Sequence, residues 1–159
     1  MTTRSPLTKK GEIALRDELH HLKTHSRQRI RKILEEARAH GDLKENAEYH
    51  AAKEEQGLME AKINYIEHQL QTCTVIDVSK FSGTEKVIFG ATIKLINIDN
   101  EETVTYQIVG EAESDIEEGR ISFKSPLAQA AIGQQIEDII SVNSPQGPVE
   151  YEIASIQYT

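Results

Sequence analysis

The sequence predicts an α+β protein. A long antiparallel α-helical hairpin, a coiled coil, spans residues 1–76, and a small domain over 77–159 carries a mostly antiparallel sheet with one short helix. Three observations predict this. Two long runs carry apolar residues at alternating steps of four and three, separated by a short interruption at 40–43. After residue 86 the pattern turns to β-branched segments punctuated by turn residues. With 159 residues, 5% aromatics, no Trp and 28% charged residues, the chain lacks the large apolar side chains of one compact core.

In the first run Leu15, Leu19, Leu22 and Ser26 step by 4, 3 and 4, and Ile30, Ile33, Leu34 and Ala37 continue near the same face. In the second, Met59, Ile63, Ile66 and Leu70 repeat the step, flanked by Ala47, Ala51, Leu58, Ala61 and Tyr65. Both stripes are narrow, so each helix buries its stripe against the other. The short break makes them antiparallel neighbours. From Glu12 to His40, at 1.5 Å per residue, such a finger projects roughly 40 Å. Gly57 weakens the second helix by about 1 kcal/mol relative to Ala, and is read as a point of close helix–helix approach.

Residues 79–86, SKFSGTEK, read as a linker. VIFGATIKLINI (87–98) is a strand, Asp99-Asn100 a turn, and TVTYQIVG (103–110) the returning strand. EAESDIEEG (111–119) is an acidic loop and ISF a short strand. Ser125-Pro126 opens the helix PLAQAAI as cap and first-turn proline. IEDIISV, the SPQGP turn at 144–148 and VEYEIASIQY form a closing hairpin.

The charge is uneven. Residues 1–75 hold 13 Lys+Arg against 12 Asp+Glu, a balance of +1; residues 76–159 hold 5 against 14, a balance of −9. A duplex-DNA binder needs a net basic surface to neutralise phosphates, so a protein partner is the expected attachment. Cys73 is the only cysteine, which excludes a disulfide framework and a Cys-based zinc site. There is no secretory signal and no apolar run of membrane-spanning length, and the chain reads as cytosolic. His20, His21 and His25 lack metal-ligand spacing and are read as solvated.

HGDLKENAEY, 40–49, permits two readings. Gly41 can end the first helix in a left-handed conformation. Asp42 can cap the second, with Glu45 three residues on completing a capping box and suiting the helix dipole. Capping alone accounts for every residue. The other reading places two carboxylates at the end of a finger able to enter a narrow channel. Mg²⁺ is commonly held by one or two carboxylates plus waters and phosphates, so such a finger can complete another protein's metal site for phosphodiester cleavage.

GDLKENAEYHAAKEEQG, 41–57, closely resembles the tip and second-helix signature of bacterial transcript cleavage factors of the Gre family. VIDVSK…KVIFGATIKL, ISFKSPLAQAAIG and the closing VEYEI strand are similar to the GreA branch, in the same order over nearly the whole chain. The resemblance implies that the coiled coil enters the secondary channel of bacterial RNA polymerase, while a C-terminal domain of FKBP-like fold docks at the channel entrance. It implies that Asp42 and Glu45 help to position a second Mg²⁺, shared with the polymerase active site, and the attacking water. The polymerase then cuts its own backtracked RNA, and the factor, a monomer with no catalytic site of its own, is not a nuclease. Arg38 and Lys53 fall at positions facing the extruded RNA 3′ end. Position 53 is commonly Arg in such relatives; Lys keeps the charge but loses the planar bidentate contact. Ser125 and Pro126 lie in the segment near the polymerase contact, although cap and first-turn proline explain them equally. Branch membership implies short RNA products.

Three alternatives differ in class. A channel occluder would bind polymerase without stimulating cleavage, which the intact pair of acids argues against. Prolyl isomerisation would need a pocket richer in aromatics than residues after 80 supply. A dimeric coiled coil is disfavoured by Gly41 and the short seams. The two roles of the tip are compatible for Asp42 but conflict for Glu45, since a side chain folded back into a capping box does not face a metal.

Overall fold

A computed structural model describes residues 5–41 and 46–159. The architecture is α+β, in two compact units. One comprises residues up to Glu12 together with Cys73–Thr159; the other is Ile13–Thr72. The sheet unit thus takes residues on both sides of the helical unit, up to Glu12 and from Cys73 on. The reason is a strand with no recognisable pattern of its own. β1 (Pro6–Thr8) pairs in parallel with β2 (Thr74–Ile76), matching Leu7 to Val75.

In the helical unit, the first run begins earlier than expected, as α1 (Lys9–His21), and resumes as α2 (Arg27–Ala39). Between them Leu22–Ser26 forms one π-turn, with the Arg27 N–H bonded to the Leu22 carbonyl. There the Thr24 hydroxyl donates to the His20 carbonyl at 2.7 Å, so a side chain enters the helical ladder where it widens. α3 (Ala47–Thr72) supplies the other wall. Ile30, Leu34, Ala52, Met59 and Ile63 form the buried cluster, with Leu19, Leu22, Ile33 and Tyr49 packed on it. The seam of α3 thus runs through Ala52 in place of Ala51, while Leu58 and Tyr65 are exposed.

Gly57 corrects a second expectation. A Cβ placed there meets nothing within 4 Å, so no helix approaches it. Gly57→Ala is expected to stabilise the protein by about 1 kcal/mol, through helix propensity alone. A urea midpoint that rises at constant slope would show this, and an unchanged midpoint would refute it.

Cross-helix ion pairs set the facing of the two walls. Arg27 binds Glu60 through two bonds of 2.8 and 2.9 Å; Lys23 reaches Glu67 at 3.0 Å and Glu18 reaches Lys62 at 2.7 Å; Arg29 contacts Glu55. Each is half-exposed, so each contributes at most about 1 kcal/mol.

The sheet unit holds a five-stranded sheet in the order β5-β4-β3-β7-β6. β3 (Thr92–Asn97) pairs antiparallel with β4 (Thr103–Val109) and with β7 (Gly147–Gln157). β6 (Ile139–Ser144) pairs antiparallel with β7, whereas β5 (Arg120–Ser122) is parallel to β4. The strand expected from residue 87 starts only at Thr92. Gly90 adopts φ +90 in the preceding turn, where an added Cβ would lie 2.1 Å from Val78 Cγ1. α4 (Pro126–Ala131) buries Ala128 and Ala131 in the core with Ile93, Leu95, Ile108 and Ile153. Tyr158 closes one end: its hydroxyl donates to the Lys86 carbonyl at 2.5 Å and accepts from the Ile88 N–H at 3.0 Å. Burial raises its pKa above the ordinary tyrosine value.

The acidic stretch 111–119, expected to be a loop, contains a buried carboxyl group. Glu113 is 8% exposed. Its oxygens accept from the Thr8 N–H at 2.7 Å, the Thr8 hydroxyl at 2.5 Å and the Gly110 N–H at 3.0 Å. Thr8 Oγ1 in turn accepts from the Gly11 N–H at 3.0 Å, which caps α1. Position 11 has no room for a side chain, since an added Cβ would sit 2.0 Å from Glu113 Oε1. One carboxyl group therefore fastens β1 and the first turn of α1 to the sheet unit.

Candidate functional site

Asp42 and Glu45 lie outside the described residues; the chain is described on either side of them. α2 ends at its C-cap His40, whose N–H bonds to the Ala37 carbonyl at 3.2 Å, and Gly41 follows, its N–H on the Arg38 carbonyl at 3.3 Å and its φ +111, the positive value expected of a helix-ending glycine.

α3 begins with a cap that sequence reading assigned elsewhere. Asn46 Oδ1 accepts from the Tyr49 N–H at 3.0 Å, the geometry of an N-cap contacting the third helical residue. Its Nδ2 donates to the Ala37 carbonyl at 2.6 Å. One amide thus satisfies a free donor of α3 and gives the Ala37 carbonyl of α2, which also accepts from the His40 N–H, a second donor. Asn46 caps the described start of α3, while the Asp42 cap and the Glu45 capping box expected from the sequence fall outside the described residues. The signal was present, since Asn is among the best N-caps, but Asp42 with Glu45 made the fuller capping-box pattern.

Arg38 and Lys53 come together. Both line one cavity of about 460 Å³ between α2 and α3, with Arg27, Arg31, Glu35 and Glu60. Four cations against two carboxylates leave it positive. Arg27 is bound by Glu60, whose hydrogen bond holds the guanidinium above its usual pKa; the reciprocal bond holds Glu60 below the usual carboxylate range. Lys53 Nζ makes a long contact of 3.4 Å to Gln56 Oε1. Arg38 instead places its Cζ 5.9 Å from the centre of the Tyr49 ring. A cavity carrying cations along its wall is suited to a polyanionic backbone. Arg31 and Tyr49 were not singled out from the sequence. Arg31 is one basic residue in a run of them, and Tyr49 read as part of a helix signature.

Ser125 and Pro126 take the structural roles expected of them. Ser125 Oγ accepts from the Ala128 N–H at 3.3 Å and Pro126 occupies the first turn of α4. Pro126 is exposed and Ser125 half-buried. Among the described residues no group of three or more His, Cys, Asp or Glu side chains is placed to hold a metal ion. The His21 and His25 rings stack, with centroids 5.0 Å apart. No described helix is long and apolar enough to cross a membrane.

Residues 5–75 match the family model described as "Transcription elongation factor, N-terminal". Residues 82–158 match "Transcription elongation factor, GreA/GreB, C-term". The chain is 52% identical to the transcription elongation factor GreA of Nitrosococcus oceani over 153 residues, 96% of this chain and 97% of that one. It is 51% identical to GreA of Methylococcus capsulatus over 155 residues, 98% of each. Among solved structures, that of GreA factor homolog 1 (Gfh1) of Thermus thermophilus is 27% identical, covering 98% of this chain and 99% of that one, with a TM-score of 0.44.

Proposed function

Since the chain belongs to the GreA/GreB family of transcription elongation factors, we propose that it works through the polymerase's own chemistry. Its helical unit enters the secondary channel of RNA polymerase and stimulates cleavage of backtracked RNA, rescuing arrested complexes. The observation that carries this reading is the positive cavity between α2 and α3. Arg38 and Lys53 line it together, Arg38 four residues before Asp42 and Lys53 eight after Glu45.

The division of labour follows from residue chemistry. Arg38 and Lys53 hold the phosphates of the extruded RNA 3′ end. Asp42 and Glu45 offer hard oxygen donors of the kind Mg²⁺ prefers, but two carboxylates are too few to hold the ion alone. The fit is therefore to an ion shared with the polymerase active site. A Mg²⁺ held there would stabilise charge developing on the cleaved phosphodiester. The factor needs no catalytic centre of its own, acts as a monomer in the cytoplasm, and docks through its sheet unit, with Ser125 and Pro126 at the contact.

The test is a stalled, backtracked polymerase complex with labelled RNA and Mg²⁺. Shortening of the RNA faster than the polymerase alone achieves supports the reading. Binding without faster shortening would make the protein a channel occluder.

A further inference from the structure

We infer that Tyr49, set by Asn46, is a positioning residue that holds the Arg38 guanidinium ready for phosphate; the inference rests on the reading of Arg38 as an RNA contact. The partners of the arginines differ in kind. Arg27 is bound by Glu60 through two N–H groups and Arg29 by Glu55 through one, so a carboxylate engages part of each fork and faces its charge. Arg38 is met by the Tyr49 ring, 5.9 Å from its Cζ. A ring attracts the guanidinium through its π face, leaving the planar fork of N–H groups and the full positive charge for another anion. A carboxylate at the same place would consume both.

Tyr49 is itself held on three sides. Its ring packs on the buried cluster of Ile30, Leu34, Ala52, Met59 and Ile63, and meets His50 edge-on at 5.7 Å. Its backbone N–H is fixed by Asn46 Oδ1 at 3.0 Å. The same amide donates to the carbonyl of Ala37 at 2.6 Å, the residue immediately before Arg38. Asn46 thereby ties the turn that bears the ring to the turn that bears the guanidinium. Were Arg38 a freely solvated side chain, it would have to be ordered each time RNA arrived; holding it in advance removes that cost.

The experiment compares Tyr49→Leu, Tyr49→Phe, Arg38→Ala and the Tyr49→Leu/Arg38→Ala pair in the full chain, on backtracked polymerase complexes. At saturating factor, Tyr49→Leu is expected to slow cleavage about threefold to tenfold, with no change in the factor concentration giving half-maximal effect. Tyr49→Phe should restore the rate, and Tyr49→Leu should add nothing once Arg38 is gone. In the free protein, the Arg38 Nε–H resonance should carry a ring-current shift that Tyr49→Leu removes and Tyr49→Phe keeps. Additive losses in the double variant, or an unshifted Arg38 resonance, would overturn the positioning role. If Arg38→Ala is impaired and Tyr49→Leu is not, the positioning role alone fails. If Arg38→Ala itself cleaves at the wild-type rate, the RNA-contact reading fails and the positioning role goes with it.

Discussion

Asp42→Asn combined with Glu45→Gln is expected to abolish stimulated cleavage while polymerase binding persists. The exchange is nearly isosteric and removes two negative charges. Asn caps a helix about as well as Asp, and the described start of α3 is capped by Asn46 in any case. Helix stability should therefore change little. Losing a preorganised group that stabilises transition-state charge typically costs 10²–10³ in rate, so a fall of roughly 10²-fold or more at saturating factor is expected. Cleavage of labelled RNA gives the rate, and displacement of a labelled wild-type factor from polymerase gives the affinity. If affinity fell in step with cleavage, the acids would be structural.

Glu113→Ala should destabilise the sheet unit by about 3 kcal/mol. The substitution strips the acceptor from the Thr8 N–H, the Thr8 hydroxyl and the Gly110 N–H at once. A buried donor left unpaired costs about 1–3 kcal/mol, and partial entry of water keeps the total below the sum. Glu113→Gln should fall between, since its amide retains one acceptor oxygen but turns an NH₂ toward groups that are themselves donors. Urea unfolding measures the loss. Amide exchange of Leu7 and Thr8 should accelerate in step, because β1 would lose its anchor. A loss under about 0.5 kcal/mol with unchanged exchange would mean that water replaces the carboxyl group.

What could be read from sequence was whatever repeats locally. The 4-3-4 seams gave Ile30, Leu34, Met59, Ile63 and Ile66, all buried. Turn residues placed the β3–β4 and β6–β7 hairpins, and Ser125-Pro126 the start of α4. What was missed depends on partners far away or on two good local options. β1 is three residues long and pairs with a strand 68 positions on. Glu113 is one acid among several in 111–119, and only its bonds to Thr8, 105 residues away, set it apart. Ala51 and Ala52 are chemically identical, and a small shift of helical phase decides which is buried. At the site, the residue types that bind polyanions were legible, but the ring beneath Arg38 and the amide joining the helix ends were not. Each requires knowing which turn of α2 faces which turn of α3.

The latch between Thr8 and Glu113 also bears on how the chain is made. β1 leaves the ribosome before either partner, and neither Thr74–Ile76 nor Glu113 exists at that moment. At roughly 5–20 residues per second, the 105 residues from Thr8 to Glu113 take about 5–20 seconds to appear. Once Thr72 has been made, in the later part of that interval, the Ile13–Thr72 unit has all its seam residues in hand and can pair its helices, while Thr8 still waits for Glu113. The helical unit can therefore close before the strand that precedes it is latched to Glu113.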